Sequence, residues 1–194
     1  MIGTDDPTIS PHLKAYLRRE GGPTVVGIIG EGSSRELTAL WESPFENDTP
    51  GSMFAKAGGI VQAGALGGVG EGMTSKSTLN TTQVWSGTTP LNFNLVLEFY
   101  AISEAYNAVQ AAVIELEKMA APEINKATPG GRIPQSVTLR VGKQIIYPEC
   151  VITNVSRDLD GPISQDGYPL RGTVNLQLQT KTTVNQSDIA GTFG

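Results

Sequence analysis

The stretch that decides the fold is Leu91-Asn92-Phe93-Asn94-Leu95-Val96-Leu97-Glu98-Phe99-Tyr100-Ala101. Large apolar side chains occupy every second position, and the positions between them are mostly polar. A period of two residues is typical of a strand that buries one face and exposes the other. Pro90 stands at the start, where a missing N–H is tolerated. We therefore predict a long, half-buried strand here.

The segment that follows this strand has a helical period. Val109, Val113, Leu116 and Ala120 recur at spacings of three and four residues, and Glu and Lys lie on the opposite face. Pro122 marks the end, because a helix rarely continues into the residue before a proline. The pattern predicts one amphipathic helix that covers one face of a barrel or sandwich.

Shorter alternating stretches fill the rest of the second half. Strands are predicted at 137–141, 144–146 and 150–155, with a turn at Gly142 and Lys143. A turn-rich interruption at 158–167 precedes the last strand. In that strand, the apolar side chains Val174, Leu176 and Leu178 face one way, and uncharged polar side chains face the other: Thr173, Asn175, Gln177 and Gln179.

The first 80 residues are less regular. Residues 1–22 are predicted to form an extended N-terminal arm outside the core, with a short helical turn at 13–20. Thr24–Ile29 has the composition of a buried strand. Residues 42–80 are predicted to be a Gly-rich insertion loop. Its part at 55–73 either becomes covered by a neighbouring subunit or is plainly flexible, and the sequence leaves both alternatives open.

Together these patterns predict a mainly β domain over residues 23–180, followed by a C-terminal tail at 181–194. The expected fold is an antiparallel β-barrel or two-sheet sandwich with one flanking α-helix and an extended N-terminal region. Many antiparallel strands with a single helix must close into a barrel or cover their edges.

Composition narrows the class of function. The formal net charge is -5, and the chain has no run of three basic residues, which argues against a protein that grips nucleic acid. The single cysteine, Cys150, allows no intrachain disulfide and is predicted to be a small buried side chain. We find no signal peptide and no apolar stretch of about 18 residues, so we expect synthesis in a cytoplasm and no membrane contact.

The sequence predicts no enzyme, no catalytic or metal-binding residue and no cofactor. Gly30-Glu31-Gly32 follows a strand, but Arg35 replaces the third glycine of a dinucleotide-binding loop. The only histidine, His12, lies in the predicted arm, so a nucleophile has no base beside it. Asp158 and Asp160 are better interpreted as turn carboxylates than as a glycosidase pair.

Two motifs resemble the tail-tube-like baseplate proteins of contractile phage tails and related injection systems. The first is Trp85-Ser86-Gly87-Thr88-Thr89-Pro90 before the long alternating strand and its helix. The second is Val151-Ile152-Thr153-Asn154-Val155-Ser156, then Asp166-Gly167-Tyr168-Pro169-Leu170-Arg171-Gly172 and the last strand. The pattern D-G-x-P-x-R before a terminal strand is the most specific piece. The resemblance covers about half of the chain and leaves the first 80 residues unmatched.

The resemblance implies a structural virion protein of the tail baseplate, made in the host cytoplasm. It implies a hexameric ring that connects the central hub or spike to the tail tube protein and seeds tube polymerisation. DNA would pass through the lumen without specific binding. On this view Arg171, Thr173, Asn175, Gln177 and Gln179 are candidates for the lumen wall or an assembly interface. The alternatives are the polymerising tube subunit itself, a soluble β-barrel binding module, and, for the polar face, an ordinary solvent-facing edge strand.

Overall fold

The computed structural model describes residues 1–43, 82–124 and 129–193. The predicted insertion at 55–73, and most of 42–80, lies outside the described residues. The chain divides into two units, one made of residues 1–37 with 90–194 and the other of residues 38–89. The strands and the α-helix, in chain order, are β1 (Ile2–Gly3), β2 (Lys14–Arg19), β3 (Thr24–Ile29), β4 (Ser34–Glu36), β5 (Ala39–Glu42), β6 (Val84–Thr88), β7 (Asn92–Tyr100), α1 (Ala111–Ala120), β8 (Val137–Val141), β9 (Ile145–Arg157) and β10 (Arg171–Thr180).

The first unit is built on a closed antiparallel barrel. Its strands follow the order β3-β2-β8-β9-β10-β7, and β7 pairs with β3 to close the ring of strands. The prediction of a mainly β fold with an antiparallel barrel and a flanking helix is confirmed, and closure decides for the barrel over the two-sheet sandwich. Closure leaves few exposed edges in a sheet of short strands.

The barrel is narrow and its interior is filled with side chains. The alternation predicted for β7 is confirmed: its inward side chains are fully buried, and they face the buried side chains of β10 across a regular antiparallel ladder. Burying a Leu or Phe side chain stabilises a fold by about 1.5–3 kcal/mol. The largest contributors from these two strands are Phe93, Leu97, Phe99, Leu176 and Leu178.

The predicted helix is confirmed and begins with a π-helical turn at Tyr106–Gln110 that leads into α1. Val109, Val113, Leu116 and Met119 are buried in the same core as the barrel strands. The fit is close where β10 begins, because a Cβ on Gly172 would lie 3.0 Å from a methyl group of Val109. The helix therefore covers the end of the barrel at which β7 ends and β10 begins.

An ion pair joins the helix to the barrel. The Arg19 Nη2 atom at the end of β2 lies 2.7 Å from the Glu115 Oε1 atom, but it is not aligned as a hydrogen bond. The Glu115 side chain is 6% exposed and that of Arg19 is 30% exposed. Lys118, one turn along the helix, lies 4.0 Å from the second carboxylate oxygen. The carboxylate is thus buried between two cations.

The prediction for residues 13–20 was wrong. Lys14–Arg19 is not a helical turn outside the core but the barrel strand β2, paired with β3 on one side and β8 on the other. Ala15 and Leu17 have no exposed surface. These two residues are too few to give a clear apolar–polar alternation. Pairing with β3 and β8 therefore decides that this segment is a strand, more than its local sequence does. The sequence before β2 contributes the short strand β1, which pairs with β3 beside the six barrel strands, and Ile2 packs against the core.

The two strands predicted at 144–146 and 150–155 form one strand, β9, that contains two bulges. The pairing with β8 slips at Pro148 and Glu149, and the pairing with β10 slips at Thr153. A bulge adds one residue and changes which face the following side chains point to. Pro148 suits such a position because it has no N–H to donate to the ladder.

The C-terminal segment is a 3-10 helix at Gln186–Thr192 that packs beside the barrel. The Arg35 guanidinium donates a hydrogen bond of 3.1 Å to the Thr192 hydroxyl and lies 4.5 Å from the centre of the Phe193 ring. Within the described ranges, no helix is long and apolar enough to cross a membrane.

In the second unit the described residues form a two-stranded antiparallel ribbon of β5 and β6. Trp41 pairs with Trp85 across the ribbon, and each is 56% exposed. The Thr89 N–H donates a hydrogen bond of 3.0 Å to the Thr38 carbonyl and extends the ladder. An isolated two-stranded ribbon is at best marginally stable in water.

Candidate functional site

The predicted site residues of β10 lie on the outer face of a four-stranded segment of the sheet, in the order β4-β7-β10-β9. Thr173 pairs with Glu98, Asn175 with Val96, Gln177 with Asn94, and Gln179 with Asn92. Their inward neighbours on β10 are buried. The structure therefore brings the predicted residues together with the polar half of β7. We call this surface the polar sheet face.

The polar sheet face also includes residues that the sequence prediction did not name as site residues. On β9, Asn154 pairs with Gln177, and Ser156 pairs with Asn175. They were missed because the bulge at Thr153 places two consecutive exposed residues on the strand and interrupts the alternation. Asn92 and Asn94 could have been found, since they belong to the same alternation as Phe93.

Six amide side chains dominate the polar sheet face. An amide both donates and accepts hydrogen bonds and carries no net charge. Such a surface binds water well, yet offers no cation to a phosphate and no anion to a base. The amides are Asn92, Asn94, Asn154, Asn175, Gln177 and Gln179.

Charged groups stand at both ends of the face. At one end, Glu36 on β4 pairs with Asn92. At the other end, the charged groups contact each other. The Arg171 Nη2 atom lies 3.9 Å from the Glu98 Oε2 atom, and its guanidinium carbon is 5.3 Å from the centre of the Tyr100 ring. The Tyr100 hydroxyl donates a hydrogen bond to the Glu98 carboxylate, and this bond, together with burial, raises the pKa of Tyr100. Arg171 therefore faces a carboxylate of a neighbouring strand in its own chain.

Both lateral edges of the four-stranded segment lack a partner strand among the described residues. On one side, β4 pairs only with β7. On the other side, β8 follows β9 only as far as Cys150, so residues 151–157 of β9 have a strand neighbour on the β10 side alone. Unpaired strand edges are sites at which another chain adds to a sheet.

The D-G-x-P-x-R stretch forms a small folded loop before β10. Gly167 has a φ of +83°, and its N–H donates to the Ser164 carbonyl, which confirms the predicted turn. The Ala101 N–H donates to the Leu170 carbonyl and ties the loop to the end of β7. The Tyr168 ring packs edge-on against Tyr106 at 5.2 Å. The motif thus sets the position at which β10 starts.

Two further candidates from the sequence have ordinary surroundings. Cys150 is fully buried on β9, as predicted, and burial raises the pKa of its thiol to about 12. A thiol with so high a pKa is not a nucleophile near neutral pH. His12 lies exposed in a short 3-10 turn at Pro11–Leu13, against the backbone of Gly142.

Comparison with known proteins gives no match, either to a protein-family model or to a curated protein.

Proposed function

We propose that this protein is a structural subunit of a contractile tail baseplate, which forms a ring between the hub or spike and the tail tube and seeds polymerisation of the tube. The observation that carries the proposal is the polar sheet face, which is four strands wide, is uncharged at its centre and has no further strand at either edge among the described residues. The motif resemblance is the reason for proposing a tail baseplate. The polar sheet face supports the proposal because its open strand edges allow neighbouring subunits to pair.

The directions of the four strands suit a ring. Neighbouring strands in the order β4-β7-β10-β9 are all antiparallel. When a rotation about an axis along the strands relates two copies, β9 of one copy meets β4 of the next in opposite directions. The alternation therefore continues across the subunit boundary, and a head-to-tail contact of this kind closes into a ring.

The chemistry of the face suits a conduit for DNA. DNA binds proteins mainly through its phosphates, which require lysine or arginine side chains. The central part of the polar sheet face offers amides and hydroxyls instead, and Arg171 is partly neutralised by Glu98. A ring with this face toward its axis would let DNA slide through a hydrated wall.

A soluble binding module would need a cavity for its ligand. The barrel interior is instead filled by large side chains such as Phe93 and Phe99, which favours a packed scaffold over a ligand carrier. The polymerising tube subunit is the second candidate, and the exposed ribbon of β5 and β6 favours either assembly role, because its tryptophans would be covered by a neighbour.

The test places negative charge on an edge strand or, as a matched control, on the adjacent inner strand of the same face. The edge variant is Asn154→Glu/Ser156→Glu on β9; the control is Gln177→Glu/Asn175→Glu, at the residues with which these pair on β10. Glu36 lies on β4, the strand that would meet the edge variant in the next copy. Like charges on facing strands are destabilising.

Mass in solution is measured by light scattering, for the protein alone and with tail tube and hub proteins. We expect rings for the wild type and the control variant, and their loss in the edge variant. Long homopolymers formed by the protein alone would favour the tube subunit. A monomer indifferent to every tail protein would overturn the proposal, and so would equal behaviour of the two double variants.

A further inference from the structure

The barrel closes along an incomplete seam. Strands β3 and β7 pair at only two positions, Ile28 with Glu98 and Ile29 with Leu97. In one direction the contact continues, because the Gly30 N–H donates a hydrogen bond of 2.7 Å to the Val96 carbonyl. Towards Tyr100 the two strands separate, and residues 1–5 lie between them. Ile2 and Gly3 lie parallel to β3, opposite Val25 and Val26. We call this gap the seam groove.

Hydrogen bonds hold the inserted segment on both walls of the seam groove. The Thr4 N–H donates to the Val26 carbonyl on β3 at 2.9 Å. On the β7 wall, the Thr4 hydroxyl accepts from the Tyr100 N–H at 2.7 Å and donates to the Tyr100 carbonyl at 3.1 Å. One threonine thus completes the backbone pairing of β7 on its β3 side, while β10 pairs with the other side of β7 at Tyr100.

A buried charge anchors the next residue. Lys14 is 3% exposed, and its ammonium group lies 3.1 Å from the Asp5 carboxylate and 2.7 Å from the Asp6 carbonyl. Without the segment this ammonium group would face the groove without its anion, which is costly for a buried charge. The groove therefore requires an occupant.

The shape of the groove restricts the occupant as well. Gly3 has a φ of +99°, and a Cβ at this position would lie 2.1 Å from the Val26 carbonyl oxygen. The groove thus accepts a strand with the pattern glycine, threonine, aspartate. Within the seam, each of the three is selected by a different contact: a close backbone approach, a bridging hydroxyl and a buried ammonium group.

We propose that the seam groove is an exchange site, which accepts residues 1–5 of a second copy of this chain in place of its own. The contacts needed by the incoming strand are those seen within one chain, so exchange loses none of them. The segment pairs with β3 at only two positions, so it opens more readily than a barrel strand, and the Lys14 ammonium group regains its anion when a second segment binds. In an assembly the local concentration of neighbouring segments is in the millimolar range, which favours exchange. The inference does not require the ring described above.

The test uses two full-length variants that form a disulfide only between chains. One carries Ile2→Cys and the other Val25→Cys, at positions that pair in the seam; the native Cys150 is buried. The matched control replaces Val25→Cys by Thr24→Cys, one residue away on β3. We expect a cross-linked dimer on a non-reducing gel from the first mixture and none from the control.

A peptide measurement supports the cross-link independently. The full-length variant Gly3→Val expels its own segment by the clash with Val26, and a labelled peptide of residues 1–9 should then bind, as followed by fluorescence anisotropy. A peptide with Asp5→Asn should bind roughly tenfold more weakly, and one with Gly3→Ala should not bind.

The absence of the cross-linked dimer overturns the exchange, even if rings form, so the two proposals fail separately. If Val25→Cys does not fold, the peptide-binding measurement is the test. Failure of the peptide to bind the Gly3→Val variant then overturns the inference.

Discussion

Removing either partner of the Arg19–Glu115 ion pair should destabilise the fold by unequal amounts. Arg19→Ala leaves a carboxylate that is 6% exposed, with only Lys118 at 4.0 Å for compensation. Loss of one partner from a buried pair costs about 3 kcal/mol or more. Glu115→Ala leaves a guanidinium group that is already 30% exposed and can be solvated, so we expect about 1 kcal/mol. Replacing both by Met and Leu should be nearly neutral.

The assay is urea unfolding followed by far-UV circular dichroism, since both tryptophans lie in the ribbon and do not report on the barrel. For a chain of this size, a loss of about 3 kcal/mol lowers the midpoint by about 1 M. The decisive quantity is which of the two single variants loses more free energy of unfolding. Equal losses, or a larger loss for Glu115→Ala, would refute the view that burial of the carboxylate sets the cost.

Three more predictions concern the thiol, the polar sheet face and the ribbon. Cys150 should resist iodoacetamide in the native protein at pH 8, because its pKa is raised to about 12, and should react rapidly in denaturant; fast native labelling would contradict the burial. In the proposed ring, Asn175→Lys/Gln177→Lys should make the assembly retain DNA with an affinity that falls steeply between about 50 and 200 mM salt, whereas the wild-type assembly should not retain it. Fluorescence of Trp41 and Trp85 should shift to shorter wavelength on assembly, and an unchanged spectrum would show that the ribbon stays exposed.

The parts of the fold that follow from sequence are those with long, regular patterns. The eleven-residue alternation around β7 and the apolar spacing of α1 predicted their elements correctly, because both bury one full face. Strand β2 was missed because only two of its residues are apolar and point inward, and the strand begins and ends with the charged residues Lys14 and Arg19. Its pairing partner β8 is far away in sequence, and no local pattern indicates such a partner.

The candidate site was predicted in part for the same reason. The uncharged face of β10 is visible in its alternation, but the neighbours contributed by β9 depend on the bulge at Thr153. The partner of Arg171 could not be predicted either, because Glu98 becomes its neighbour only through the pairing of β7 with β10. The role of Thr4 in the seam depends on the closure of the barrel and has no signature in the sequence.

The pairing of β2 with β8 has a consequence for folding during translation. About 118 residues separate Arg19 from Val137, its partner on β8. At ordinary rates of translation, the first hairpin waits roughly 6–24 s for that partner to be synthesised. During this time its apolar face has no barrel to enter and remains exposed on the nascent chain. A truncated product that stops before β8 would lack three of the six barrel strands, so its apolar strand faces would stay exposed and it should be prone to proteolysis.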